Sequence, residues 1–347
     1  MKKPSKSYQI PKRFRVTKST LWFDHFMNYF IVVGGAAVIA AVMGIFVFIF
    51  FQVLPLFQDA KVEAAAQYQL TENMDSVVAV DMDEWGELPL VLHQDGSVEY
   101  LDLKGDRGTI TTESVFPSGE TISTLNYSSI NRLAAAGSED GKFAFATLGY
   151  RSEFDQNSER TIYPQVDKSD WYQLGEPGET IRFIDYGAGD NNKMAVGICI
   201  GEDGQQHVRA ITLKQRRSLF GGGGQITVGD RYDLTQDISA EIQDLDVSAN
   251  GQLVIVSATS GEVFLFVYEG GELNLRQRFW PFDDVDDKRI GNAEFLLGDI
   301  SVVFTGIEGQ NRLLSLSLDD AAGKRLFSQT KEFETLPESP EHFFPGV

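Results

Sequence analysis

Residues 253–268 read LVIVSATSGEVFLFVY. Two runs rich in β-branched and aromatic residues flank a tight turn at Ser260-Gly261, which is the sequence mark of a β-hairpin. The same unit stands at four other places. Residues 88–103 read LPLVLHQDGSVEYLDL, with Asp95-Gly96 at the turn. Residues 133–148 read LAAAGSEDGKFAFATL, with Asp140-Gly141. Residues 194–213 read MAVGICIGEDGQQHVRAITL, with Asp203-Gly204, and residues 301–318 read SVVFTGIEGQNRLLSLSL, with Glu308-Gly309. The turn glycines are spaced 45, 63, 57 and 48 residues apart.

A further strand precedes each hairpin, at Ser76–Asp81, Ile122–Tyr127, Ile181–Tyr186, Ile242–Val247 and Ala293–Leu297, and is expected on the outer side of its unit. Four strands recurring at this period are the pattern of a propeller blade. The fold class expected is all-β, a β-propeller-like domain over residues 75–335. At roughly 42 residues per blade, its length gives about six or seven blades. The stretches 100–120, 150–175 and 270–290 leave room for blades less plain than the five. A pair of open β-sandwich sheets is the alternative arrangement.

Charge divides the chain in two. The 347 residues carry a formal net charge of -20. Residues 1–59 hold seven basic and two acidic residues, while residues 60–347 hold 23 basic and 48 acidic ones. A body so acidic lacks the clustered Lys and Arg that a nucleic-acid backbone requires. The single cysteine, Cys199, rules out an intrachain disulfide framework and a cysteine-rich zinc site. The four histidines have no ligand spacing.

Between the basic head and the acidic body, Phe30 to Phe51 contains no charged residue. As a helix this run is roughly 33 Å long, the thickness of a bilayer core. Trp22, Phe23, Phe26 and Tyr29 precede it as an interfacial aromatic belt, and Pro55 follows its end. The expected organisation is a basic cytoplasmic N-terminus with its aromatic segment over 1–28 and one transmembrane α-helix over 29–57. A linker over 58–74, the propeller-like domain and a Pro-rich C-terminal linker over 336–347 follow. The seven basic residues of 1–59 all lie before the apolar run, so the positive-inside rule places the main domain outside the cytoplasm, on a single-pass inner-membrane anchor. A cleaved signal peptide competes, because Ala64-Ala65-Ala66 resembles a cleavage site, but the apolar run is far longer than a normal signal core. Ala36, Ala40 and Gly44 form a stripe of small residues at helical spacing, the candidate surface for packing on another membrane helix.

Candidate chemistry is sparse. Lys214, Arg216 and Arg217 precede the glycine run 221–224 and are weak candidates for contact with an oxyanion, or else solvated charges at a hairpin tip. Residues 81–86 (DMDEWG) lack the distal Glu of a calcium loop. Asp283, Asp284, Asp286 and Asp287 read as a weak cation site or a solvated loop. No nucleophile elbow appears. Neither a catalytic residue nor a cofactor is expected, and the chain reads as non-enzymatic.

The segment YFIVVGGAAVIAAVMGIFVFIFFQVLPLFQDAKV (29–62), with its basic head and acidic β body, resembles the N-terminal part of the long form of the phosphate-specific ABC transporter permease (the PstC type). In that family the first helix ends in a similar pattern, matched here by Phe48, Val53, Pro55, Leu56, Phe57 and Ala60. The likeness covers the chain by architecture, and its sharp motif is confined to 29–62. It implies a periplasmic propeller-like region whose partners are the bilayer, permease subunits and the periplasmic phosphate-binding protein. The family's permease core is missing, so the chain is expected to be a fragment, a split product or an accessory subunit, unable to transport alone. No phosphate-contacting residue carries over. An unrelated anchored scaffold for envelope assembly or sensing is the alternative.

Overall fold

The computed structural model describes residues 17–54, 76–104, 109–156, 158–190, 192–215, 226–319 and 323–334. It divides into two units, 1–67 and 68–347.

In the first unit one helix, α1 (Lys18–Val53), runs for 36 residues with no side chain buried. It starts at Lys18 rather than at 29. The Thr17 hydroxyl accepts from the Thr20 N–H at 3.3 Å and caps the first turn. No Gly or Pro occurs between Thr17 and Gly34 to stop the helix, so the aromatic belt is helical too. The described helix ends at Val53; residues 55–57 of the expected span lie outside the described residues. About 54 Å of helix is more than a bilayer core needs. The helix is long and apolar enough to cross a membrane, as an anchor or a signal sequence does.

The second unit is all β. Blade 1 holds β1 (Val77–Asp81), β2 (Leu90–His93), β3 (Ser97–Asp102) and β4 (Thr109–Ser114). Blade 2 holds β5 (Ile122–Ser128), β6 (Leu133–Ser138), β7 (Lys142–Phe154) and β8 (Arg160–Lys168), with the short β9 (Tyr172–Gln173) added on β7. Blade 3 holds β10 (Thr180–Ala188), β11 (Lys193–Ile200), β12 (Gln206–Gln215) and β13 (Ile226–Asp233). Blade 4 holds β14 (Ile242–Val247), β15 (Leu253–Ala258), β16 (Val263–Glu269) and β17 (Glu272–Phe279). Blade 5 holds β18 (Ile290–Phe295), β19 (Ser301–Gly306), β20 (Gln310–Asp319) and β21 (Lys324–Glu334). Strands neighbouring in sequence pair antiparallel in each blade, and the first strands β1, β5, β10, β14 and β18 line one cavity. This is a β-propeller.

Two expectations need correction. Among the described residues there are five blades, not six or seven. The stretches with room for more blades hold the fourth strands β4 and β17 and the long β7–β8 hairpin, so the extra chain lengthens existing blades. The strands expected outside their units are innermost instead.

All five sequence hairpins fall between the second and third strands. Each turn closes from the glycine N–H to the carbonyl three residues back, as in Gly96 to His93 at 3.0 Å and Gly261 to Ala258 at 2.9 Å. The glycines have φ of 78°, 70°, 76°, 84° and 86°, which an L side chain resists.

Both faces of a middle strand are covered, which explains the unbroken apolar runs. In blade 4, Val254, Val256, Phe264 and Phe266 pack toward blade 3. Leu253, Ile255, Val263 and Leu265 pack toward blade 5. Similar layers join blades 1 to 2 and 2 to 3. Each fully buried side chain of this size contributes about 1.5–3 kcal/mol of transfer free energy.

Every first strand slips register near its start, skipping Val78, Ser123, Arg182, Gln243 and Gly291 in turn. A bulge frees backbone groups from the ladder, and side chains from the preceding blade take them up. Ser123 Oγ donates to the Ile181 carbonyl at 2.6 Å, and Gln243 Nε2 to that of Ile290 at 2.8 Å. The Gln206 amide both donates to the Ile242 carbonyl (2.9 Å) and accepts from its N–H (2.8 Å), as a strand neighbour would.

A Cβ at Gly261 would run into the Lys288 carbonyl, at a residue whose φ is already positive. Gly261→Ala is expected to lower stability by about 3 kcal/mol, by overpacking and backbone strain together. Chemical denaturation of the full chain in detergent checks this.

Candidate functional site

The cavity lined by the first strands has a volume of about 430 Å³. The bulges align the strands residue for residue. The first positions are Val77, Ile122, Ile181, Ile242 and Ile290, and four residues on come Asp81, Asn126, Asp185, Asp246 and Glu294. The fold therefore gathers four carboxyl groups and one amide at one level of the channel, with Asp244 two residues before Asp246.

These side chains join the blades. Tyr127 Oη donates to Asp81 Oδ2 at 2.5 Å, from blade 2 to blade 1. Asn126 Nδ2 donates to Asp185 Oδ1 at 3.0 Å, from blade 2 to blade 3. The Val247 N–H donates to Asp185 Oδ2 at 2.6 Å, and the Phe295 N–H to Asp246 Oδ2 at 2.8 Å. The last two repeat one device: the carboxyl of one blade accepts the backbone N–H one position further along in the next.

Below this level the turn between β14 and β15 bridges the other blades. The Ala249 carbonyl accepts from Asn131 Nδ2 of blade 2 at 3.0 Å and from the Ala188 N–H of blade 3 at 2.9 Å. Asp299 of blade 5 accepts from the Ala249 and Asn250 N–H groups at 2.8 and 2.9 Å. The five hairpin turns lie at the opposite end, beside the start of each first strand, and bring Asp95, Asp140, Asp203 and Glu308 there.

Electrostatically the wall is one-signed. Burial, then the charge of Asp185, lifts Asp244 to about 6 against the pull of the Leu245 N–H. Burial, then Asp185 and Asp244, lifts Glu294 to about 8. Asp246 is pushed well up by burial, Glu294 and Asp185. Burial also raises Asp185, although the Val247 and Tyr186 N–H groups and the Asn126 amide all donate to it. The nearest guanidinium along the ring, Arg132, sits 3.8 Å from Asp81.

The residues singled out from sequence lie elsewhere. Lys214 pairs with Asp230 at 3.1 Å on the surface, and Arg216 and Arg217 lie outside the described residues. Ala36, Ala40 and Gly44 follow one another a turn apart on α1, all exposed. Asp83 accepts the N–H groups of Trp85, Glu87 and Leu88 at 2.9, 2.8 and 2.6 Å, organising its own loop. Asp284 meets Arg312 at 3.1 Å and Asp287 meets Arg289 at 2.6 Å, so arginines answer that acidic run. Cys199 is buried and its thiol is pushed up to about 12, by burial first and then by Glu179. Among the described residues no three His, Cys, Asp or Glu side chains are grouped to hold a metal ion.

Sequence reasoning missed the ring. Its signal was present as an Ile followed four residues later by Asn, Asp or Glu, at 122/126, 181/185, 242/246 and 290/294. It emerges only when the first strands, rather than the hairpins, are aligned.

No protein-family model and no curated protein sequence matches the chain. Among solved structures it is similar to the β-propeller domain of Cps50 (Swd1) from Myceliophteria thermophila, at 11% identity and a TM-score of 0.42, over 75% of this chain and 73% of that one. A "putative 6-phosphogluconolactonase" from Bacteroides fragilis aligns at 12% identity and a TM-score of 0.40, over 74% and 70%. One from Bacteroides uniformis aligns at 12% and 0.42, over 76% and 73%. These likenesses concern the fold and carry nothing about chemistry. The class defined is a β-propeller preceded by one long apolar helix.

Asp299 is buried, and two backbone donors depend on it. Asp299→Ala is expected to cost about 2 kcal/mol by leaving those groups unpaired. It should also speed amide exchange at Ala249 and Asn250 ahead of the hairpin cores.

Proposed function

We propose that this chain is a non-enzymatic docking or regulatory module of a phosphate ABC importer, anchored in the inner membrane by α1 with its propeller in the periplasm. One observation carries the reading: α1 holds Phe48 and Val53 of the permease-like motif at the end of a capped helix whose stretch from Phe30 to Phe51 is uncharged, and a propeller follows in the same chain. The remaining motif residues, Pro55, Leu56, Phe57 and Ala60, lie outside the described residues. Propellers offer broad loop-rimmed ends suited to binding other proteins. The hairpin-turn end would meet a phosphate-binding protein or the permease, and the small face of α1 would pack on permease helices. Transport would belong to those partners.

The helix part is tested by replacing Ala36, Ala40 and Gly44 with Leu. Loss of co-purification with a phosphate permease is expected, because bulk at these positions keeps helix backbones apart. Unchanged recovery would sink it, and expression indifferent to phosphate starvation would favour the unrelated scaffold. Topology is tested at Leu297, which is exposed, with Cys199 buried and silent. Leu297→Cys should react with a membrane-impermeant maleimide in intact cells; labelling only after lysis would put the propeller in the cytoplasm.

A further inference from the structure

The carboxyl wall of the channel does more than line it. Asp185 and Asp246 occupy the same position in neighbouring blades, and each receives a backbone N–H from the blade that follows. Both line one small cavity together with Glu294. Carboxyl groups gathered in this way have acceptors only when ionised and repel one another, and a proton held among them removes that repulsion. Glu294 extends the series into blade 5, and Asp244 faces the same space from blade 4.

Among the described residues, the charged and titratable groups around this ladder can be assigned to their strands. From blade 2 come Asn126 and Tyr127, with the Tyr127 hydroxyl engaged by Asp81 of blade 1. Blade 3 contributes Asp185, blade 4 Asp244 and Asp246, and blade 5 Glu294 beside Asn292. Asp299 lies beyond, bound to the β14–β15 turn, and Arg132 is turned to Asp81 and the Met82 carbonyl at the blade 1 end. Among these groups the only cation is Arg132, and it is paired away from the ladder.

We propose that Asp185, Asp246 and Glu294 form a proton-operated latch across the seams between blades 3, 4 and 5. Protonated, the latch holds these seams closed. Ionised, it sets carboxylates of adjoining blades against one another in a confined cavity and loosens them.

The sign follows from proton binding. The folded chain keeps protons on Asp244 to about 6 and on Glu294 to about 8, while the unfolded chain releases them in the ordinary carboxylate range. The folded state therefore binds more protons over that interval, and its stability falls as pH rises toward 8. Each group that keeps its proton lowers the folding constant by up to about tenfold per pH unit across its interval.

The experiment follows amide-exchange protection in the full chain in detergent micelles between pH 5 and 9, corrected for the intrinsic rate. The reporters are Val247 and Phe295, whose N–H groups enter the latch, with Val98 of blade 1 as reference. Protection at the two reporters should fall several-fold as pH rises through 6 to 8 while Val98 holds. Glu294→Gln and Asp246→Asn imitate the protonated side chains and should each flatten the fall. The thermal midpoint of the wild-type chain should drop over the same range, a readout needing no variant. A fall shared equally by Val98, an unchanged fall in both variants, or a midpoint that is flat or rises with pH would overturn the latch.

Discussion

The structure depends on the burial of both faces of each sheet. A four-stranded sheet such as β14–β17 presents two apolar surfaces, and alone it would leave both in water. Stacking the blades around an axis lets each cover its neighbour, and four apolar layers fill the seams from blade 1 through blade 5. A single blade has no stable existence on this accounting, as in other repeat architectures, where stability comes from interfaces between units.

Stacking brings the first strands together at the axis, where their twist leaves unpaired backbone. The bulges near their starts and the polar links across the seams answer the same geometrical problem. Gln206 and Gln243 complete the backbone bonding that the bulges interrupt, and Asp185 and Asp246 accept N–H groups from the following blades. Carboxyl groups here come at a desolvation cost that pairing repays only in part. Keeping protons on the ladder reduces that cost, which links the architecture of the axis to its sensitivity to pH.

Function is read differently in the two units. The helix is a statement about composition: a capped run of 36 residues with none buried is long and apolar enough to cross a membrane. The propeller presents an end ringed by acidic hairpin turns, a carboxyl-lined cavity, and a far end bridged by the β14–β15 turn. An acidic surface of this kind favours cationic partners and disfavours free anions, which fits a docking role better than phosphate capture by the propeller itself.

Much of the fold was legible in the sequence because it rests on local rules. Hairpins need a residue of positive φ at a fixed offset, so Gly96, Gly141, Gly204, Gly261 and Gly309 marked all five, and two-sided burial wrote their strands as unbroken apolar runs. The long apolar helix was plain from the absence of charge, although its early start was not, because Thr17 as a cap is a local event that hydropathy ignores. Which strand lies at the axis, and so the blade count, depends on packing between units far apart in sequence. The ring follows the same rule: Asp81, Asn126, Asp185, Asp246 and Glu294 are up to 213 residues apart, and each alone reads as an ordinary polar residue on a strand. Only the closing of blades about a common axis puts them at one level, where burial and mutual repulsion give them a chemistry that none has alone.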